Sequence, residues 1–285
     1  MPHPHLLPQF DSVLVTGADA RDFLQGQLSF DMTRLTPGRM ELATCNSAQG
    51  RVQTIVWMVE RSDGIALIVP TQLRDAFVGR LRKYVLRAKA TFTANALAVA
   101  GTSDVAGLDT QRVHEQAGSV SRVRWPGDDP RALLLLPEGE QVTPDDGRAQ
   151  AWRLEDIRTG LPQIFTQTYE SFVAQMLNAD LLGGISFEKG CYTGQEIIAR
   201  AHFRGTVKRR MFRFGADCAP PAPGSRVVSE DGNHAGDVVV AAASGTGCEL
   251  LAVISLAQRD ATLRIDAIPD GALRKLPLPY TVTSE

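Results

Sequence analysis

Strong signals of any single kind are scarce in this 285-residue chain. Its four cysteines, Cys45, Cys191, Cys218 and Cys248, are scattered, and no two form a C-x-x-C pair. That spacing gives no local signature for a structural zinc or a four-cysteine cluster, so no resident metal is expected. Of five histidines, two sit in the N-terminal tail and none lies within ten residues of Cys191. A cysteine–histidine hydrolase is therefore poorly supported. Basic and acidic residues nearly cancel, 30 against 32, for a net charge of −2. Bulk electrostatics do not make such a molecule a polyanion binder, and any anion site must come from local clustering. No apolar run approaches the ~18 residues of a helical membrane span. The first ten residues hold three prolines and two histidines, with neither a basic n-region nor an apolar core. They do not read as a signal peptide. The expected location is the reducing cytoplasm, where a lone cysteine persists as a thiol. No G-x-G-x-x-G follows a strand and no Walker A motif is present, so a nucleotide-binding fold is not indicated.

The composition is otherwise ordinary, with 44% hydrophobic and 22% charged residues, and the length suggests about two domains. Residues 13–15, then Thr16-Gly17-Ala18-Asp19, read as a strand and turn into a helix with Asp19 as N-cap. Residues 40–45, 52–60 and 65–69 read as an antiparallel meander, its first turn at 46–50. Residues 71–86 carry Leu73, Phe77, Leu81, Tyr84 and Val85 on one helical face, with Arg74, Arg80, Arg82, Lys83 and Arg87 on the other. Residues 133–136 are a short buried strand, and 137–149 a loop or short helix. A helix over 152–159 stops at Gly160-Leu161-Pro162. Residues 168–177 show helical spacing. Beyond Arg204-Gly205 the pattern changes to five short strands, with Asp231-Gly232 as a hairpin turn, and suggests a small antiparallel barrel.

The richest stretch is Lys189-Gly190-Cys191-Tyr192-Thr193-Gly194-Gln195-Glu196. It sets a cysteine between a lysine and a tyrosine, with glycines that free the backbone for sharp turns. A neighbouring cation favours the thiolate, the form that acts as nucleophile or metal ligand. The plain alternative is a buried structural cysteine. A basic cluster follows: Arg200, Arg204, Lys208, Arg209, Arg210 and Arg213, with His202 among them. It reads as a solvated edge or as an anion site. Trp57 reads as core, Trp125 as a loop anchor, and Trp152 as core or as a stacking surface for a flat heterocycle.

At 189–196 the sequence resembles the YgfZ family signature K-G-C-Y-x-G-Q-E, agreeing throughout. Residues 182–187, Ala199-Arg200, 15–19, Gln25-Gly26-Gln27 with Asp31, 46–51 and Leu278-Pro279-Tyr280 are similar to the same family. That family is related to the folate-dependent aminomethyltransferase of the glycine cleavage system. The resemblance implies an α+β fold: a three-lobed ring around a central folate-binding channel, with two α+β lobes and a C-terminal antiparallel β-barrel. It implies a folate-binding domain over 1–205 and a barrel domain over 206–285. It implies tetrahydrofolate, or a folate derivative, as cofactor. It also implies a role in making or repairing iron–sulfur clusters on other enzymes, including one that modifies tRNA. Carried onto this chain, Cys191 and Lys189 are the acting groups, and Gly190, Tyr192, Gly194, Gln195 and Glu196 frame them. Phe10, Trp152 and Arg200 are the expected folate contacts.

The departures are chemical. The transferases carry a catalytic aspartate in a stretch that matches Gly50-Arg51-Val52-Gln53-Thr54 here, which has no carboxylate. They carry a folate-contacting glutamate where this chain has Arg158. Loss of a positioned acid–base group, worth about 10²–10⁴ in rate, argues against aminomethyl transfer. Proline is common in the family at the position of Ala174, which allows an extended segment at 168–177 as the alternative to a helix. Three readings follow. The leading one is a folate-binding accessory protein of iron–sulfur cluster assembly or repair with a functional thiol. The second is a folate-dependent one-carbon transferase on the same scaffold. The third is a tRNA-binding module using the two basic patches, a contact that the net charge does not favour. Partners are expected to be folate and iron–sulfur proteins, not a membrane.

Overall fold

The computed structural model describes residues 3–282 apart from 138, 141, 206, 269 and 270. Among them are four α-helices: α1 (Ala20–Gln27), α2 (Arg74–Tyr84), α3 (Asp146–Thr159) and α4 (Gln195–Phe203). The strands form two five-stranded sheets and a closed six-stranded barrel.

The first sheet takes the order Met40–Asn46, Val52–Arg61, Gly64–Pro70, Phe10–Thr16, Thr91–Ala94, all antiparallel. Its strands are apolar almost throughout because both faces are covered. Ile55, Trp57, Val59, Ala66 and Ile68 face one core. The alternate residues Val56, Met58, Ile65, Leu67 and Val69 face another, closed by Phe23, Leu24 and Leu28 of the α1 segment and Phe77, Val78 and Leu81 of α2. This is the two-residue period of a strand feeding two cores.

The second sheet runs His5–Leu6, Leu97–Thr102, Ala132–Pro137, Val120–Arg124, His114–Ala117. In the barrel, the strands Arg209–Ala216, Gly247–Ser255, His234–Ser244, Arg226–Ser229, Leu263–Ile265 and Ala272–Leu276 close on one another. Phe212, Phe214, Leu250, Ala252 and Ile254 fill the barrel's own core. Met211, Leu251 and Val253, the alternate set, join Leu97, Val99, Leu133 and Leu135 of the second sheet and the inner face of the first. Each of the three bodies therefore gives one face to a shared centre. This is the three-lobed α+β arrangement with a C-terminal barrel that the resemblance implies.

Several local expectations change. The 168–177 segment is not a helix. Two short 3₁₀ turns, Thr166–Thr168 and Ala174–Leu177, flank extended chain, and Glu170 and Asn178 take positive φ of 57°. The backbone between them bonds the start of a strand instead, with Val52 N–H donating to Phe172 O (2.8 Å) and Glu170 N–H to Val52 O (3.1 Å). α3 begins at Asp146, with Asp145 accepting from Arg148 N–H, so the end of the 137–149 stretch, expected to be a loop or short helix, is the first turn of the helix expected over 152–159. Gly160 ends α3 at φ 73°, as its position suggests. Asp19 is the N-cap residue of α1 but makes no side-chain cap; its carboxylate accepts from Lys89 N–H (2.7 Å). The barrel has a sixth strand, Ala272–Leu276, too polar to stand out in the sequence. No helix among the described residues is long and apolar enough to cross a membrane.

Candidate functional site

Two sites emerge, one inside and one on the surface. The inner site lies where the three bodies meet. Phe10, Ile55, Trp57 and Ile68 of the first sheet, Trp125 after the second, Arg153, Asp156 and Ile157 of α3, and Val240 of the barrel line one cavity. Its walls are aromatic: the Trp125 ring lies 5.7 Å from Phe10, 5.0 Å from Trp57 and 5.9 Å from Trp152. Asp156 is the acidic residue in its lining, with Arg153 and Gln163 as the other polar ones. Trp125 Nε1 donates to Asp156 Oδ1 (2.8 Å), and Arg131 pairs with the same oxygen (2.8 Å). Oδ2 carries no hydrogen bond among the described residues. Burial pushes this carboxyl's pKa up, opposed by Arg131 and by the Trp125 bond. The enclosed part is small, about 20 Å³, room for about one water. Across Pro70, Arg153 and Gln163 lies an adjoining groove of about 240 Å³. The Arg153 Nε at this shared wall is buried without a partner.

Of the three expected folate contacts, only Phe10 lines this cavity. Trp152 stands one ring back. It packs on Gly101, where a Cβ would come within 2.8 Å of the indole, and has the Arg131 guanidinium 4.6 Å from its ring centroid. Arg200 is on the exposed face of α4, outside the cavity. Trp125 and Asp156 were missed as site residues. Trp125 looks like a loop tryptophan before Pro-Gly, and nothing local predicts its 1% exposure. Arg158 does not enter the cavity either. It bonds Glu155 (2.6 Å) and Glu249 of the barrel (2.9 Å), with Arg213 on the other oxygen of Glu249 (2.6 Å). The arginine in place of the transferase glutamate is thus a clamp between α3 and the barrel.

The surface site is the 189–196 loop. Cys191 is an exposed free thiol, not the buried structural cysteine of the plain alternative. Lys189 is not poised beside it. Its ammonium is buried and donates to Gln25 O (2.6 Å), Leu28 O (2.8 Å) and Phe30 O (2.7 Å). These carbonyls lie at and just past the end of α1, which has no basic residue in its last turn. Lys189 therefore caps that helix from 160 residues away, as a cation at a helix C-terminus does. All three of its N–H groups are used, so the lysine expected to activate the thiol holds the loop down instead. Burial lowers its pKa to about 8, with Asp31 opposing.

Gln195 closes the loop, accepting from Tyr192 N–H and donating to Lys189 O (both 3.3 Å). Gly194 is the N-cap of α4 at φ 83°; a Cβ there would stand 2.5 Å from Ser47 O and 3.0 Å from Gly50 Cα. The 46–51 turn and the motif thus meet backbone to backbone, which explains why glycines occupy both. Gly190 has no such constraint: its φ is not positive and a Cβ would meet open space. Tyr192 points inward. It is buried in the shared centre with its hydroxyl unpartnered, and burial raises its pKa. Glu196 is exposed in the first turn of α4. At the lost transferase carboxylate, Gln53 donates to Glu170 (2.7 Å), an exposed acid that does not line the cavity.

The fold is that of a glycine-cleavage aminomethyltransferase. Aminomethyltransferase T from Bartonella henselae superposes with a TM-score of 0.77 over 98% of this chain and 86% of that one, at 14% identity. No protein-family model matches the chain. Among curated proteins it is 33% identical over 298 residues to the tRNA-modifying protein YgfZ of Klebsiella pneumoniae, covering 94% of this chain and 90% of that protein. The protein of the same name from Edwardsiella ictaluri is 32% identical over 301 residues, with 95% and 90% covered. The chain belongs to the YgfZ family.

Proposed function

We propose that this protein binds tetrahydrofolate in the three-body cavity and serves tRNA modification through iron–sulfur cluster assembly or repair, with Cys191 as its working thiol. Residues 1–205 are taken as the folate-binding domain and 206–285 as the barrel domain. The observation that carries the reading is Asp156, a largely buried carboxylate (side chain 14% exposed) beside the Trp125 indole, with one oxygen unused among the described residues. A pterin presents a flat face for Phe10, Trp57 and Trp125 and an N–H edge for a carboxylate. The Arg153 guanidinium at the shared wall, its Nε without a partner, complements the carboxylates of a folate tail. The groove is near the lower end of ligand-site volumes, about 300 Å³, so Arg153 and Gln163 must move aside for a pterin to pass inward. Folate supplies a carrier for one-carbon units; the residues here supply a narrow aromatic slot and a fixed acceptor. Two groups argue against transferase chemistry in that slot: its one carboxylate is tied to Arg131, and the transferase aspartate is absent.

The cluster, or the iron or sulfur from which it is built, is cargo in this reading and meets Cys191 at the surface. Deleting the gene should lower iron–sulfur enzyme activity and the dependent tRNA modification. Wild type should restore both and Cys191→Ala neither. Full restoration by Cys191→Ala, at equal protein level, would remove the thiol from the reading.

A further inference from the structure

Three of the six large apolar side chains exposed among the described residues, Tyr84, Tyr169 and Ile197, lie by one turn, and Leu86 and Phe203 extend the surface along the two helices that flank it. α2 and α4 both abut residues 46–50. Arg80 of α2 donates to Asn46 O and to Gln27 Oε1 (both 3.0 Å), and Gly194 and Ile197 of α4 lie against Asn46, Ser47 and Gly50. Tyr84, placed by its spacing on the buried face of α2, is instead exposed, with the Arg80 guanidinium 5.0 Å from its ring centroid. Leu86 beyond it is 88% exposed and Phe203 at the end of α4 is 67% exposed. Tyr169 and Ile197 are partly exposed beside the same turn. An exposed apolar patch of this kind marks an interaction site.

Two of these rings are braced from behind. Phe203 stands edge-on to His202 (4.7 Å) and Phe187 (6.1 Å), and His202 is stacked on Phe187 at 3.8 Å. Tyr84 is braced by Arg80. Lys83, Arg87, Arg200 and Arg204 are exposed around them, and among the described residues none has a carboxylate within ion-pair distance. Glu188 and Glu196 flank the loop; Asp31, which accepts from Gln25 and Thr33, and Glu170, which accepts from Gln53, are the other acids near it. Fixed aromatic faces interleaved with unpaired cations are what unpaired nucleic acid binds: bases stack and phosphates meet the cations. α4 alone is about 14 Å long, so the face spans several nucleotides.

We propose that this surface along α2 and α4, beside the Cys191 loop, binds an unpaired segment of RNA. The proposal names the partner of the Cys191 site and rests on the tRNA-modification reading above. Its test needs no folate. The full-length protein is titrated into a labelled anticodon stem-loop and into a fully paired RNA of equal length, and anisotropy is read between about 50 and 200 mM salt. The stem-loop should bind more tightly. Tyr84→Ala and Phe203→Ala should each weaken it about five- to 150-fold. Arg87→Gln and Arg204→Gln should each reduce the slope of log K against log salt by about 0.7. All four side chains are exposed; urea melts report that the variants are folded, and tetrahydrofolate binding, measured separately, reports whether the folate reading holds on its own. No binding at the lowest salt, equal affinity for the paired RNA, or indifference to all four substitutions overturns the proposal. Loss of complementation by these variants without any RNA binding would assign the face to a protein client and overturn it equally.

Discussion

Asp156→Asn tests the inner site most directly. In the wild type, Oδ1 takes both the Trp125 indole and Arg131, while Oδ2 is open. Asparagine keeps the shape and leaves its amide oxygen for the indole. Its NH₂ then stands where Oδ2 was, a donor facing the donor edge of a pterin. The lost charge-assisted bond is worth about 1.5–3 kcal/mol, so Kd for tetrahydrofolate should rise about tenfold to 150-fold. The substitution also leaves Arg131, 4% exposed, without its counter-charge. Breaking a buried pair from one side costs about 3–5 kcal/mol. Here the loss should fall toward the low end, because Arg131 still donates to Trp152 O (2.8 Å) and Pro126 O (3.2 Å). Calorimetry gives the affinity and urea unfolding gives the stability. Adding Arg131→Gln should recover stability without recovering affinity. A folded Asp156→Asn protein that binds tetrahydrofolate as tightly as wild type would refute the pterin-edge assignment.

Gly194→Ala should destabilise by about 1–2 kcal/mol from φ alone, and by more as the 46–50 turn is pushed away; Gly190→Ala should stay within about 0.5 kcal/mol. Paired urea melts decide it, and equal effects would contradict the backbone contact. The Lys189 pKa falls from 10.5 unfolded to about 8 folded, so the folded state disfavours the charged form. The penalty is complete below pH 8 and is shed as pH rises toward 10.5, a gain of about 3 kcal/mol at most. The stability difference between wild type and Lys189→Met should therefore shift in favour of wild type between about pH 7 and 9.5; a flat difference would show that the three carbonyl bonds cancel the burial. Cys191→Ala should leave tetrahydrofolate affinity unchanged within about twofold, and a larger loss by calorimetry would mean that thiol and cavity are one site.

Strand positions were legible where both faces are buried, because an apolar run such as Ile55 to Val59 has few other fates. The meander, α2, the end of α3 and most of the barrel follow from such runs and from Gly160 and Gly232. The 168–177 segment has helical spacing without a helix because its backbone pairs with Val52 and because Glu170 and Asn178, at positive φ, interrupt any helical run. The motif was legible as chemistry but not as geometry. Nothing local says that Lys189 reaches back to the end of α1, because its three acceptors are main-chain oxygens. Trp125 and Asp156 were illegible for a related reason. Their partnership is made by a loop and a helix 31 residues apart, and an indole–carboxylate bond leaves no periodic trace.

The placement of the motif bears on what folate does. Cys191 faces solvent, while its neighbour Tyr192 is buried in the shared centre. The loop that carries both is fixed at three points: Lys189 on α1, Gln195 across the loop, and Gly194 against the 46–50 turn. A thiol on so rigid a support does not swing inward, and neither Cys191 nor Tyr192 lines the aromatic cavity. A one-carbon unit on a bound folate would have to cross the packed centre to reach it. Direct transfer between the two sites therefore needs a rearrangement of the core, which close-packed interiors resist. Folate bound inside can instead act on the outer face by favouring one arrangement of the three bodies, and only in proportion to its preference for that arrangement. Tyr192 is the natural reporter of such coupling: its unpartnered hydroxyl sits in the core that all three bodies share, one residue from the thiol.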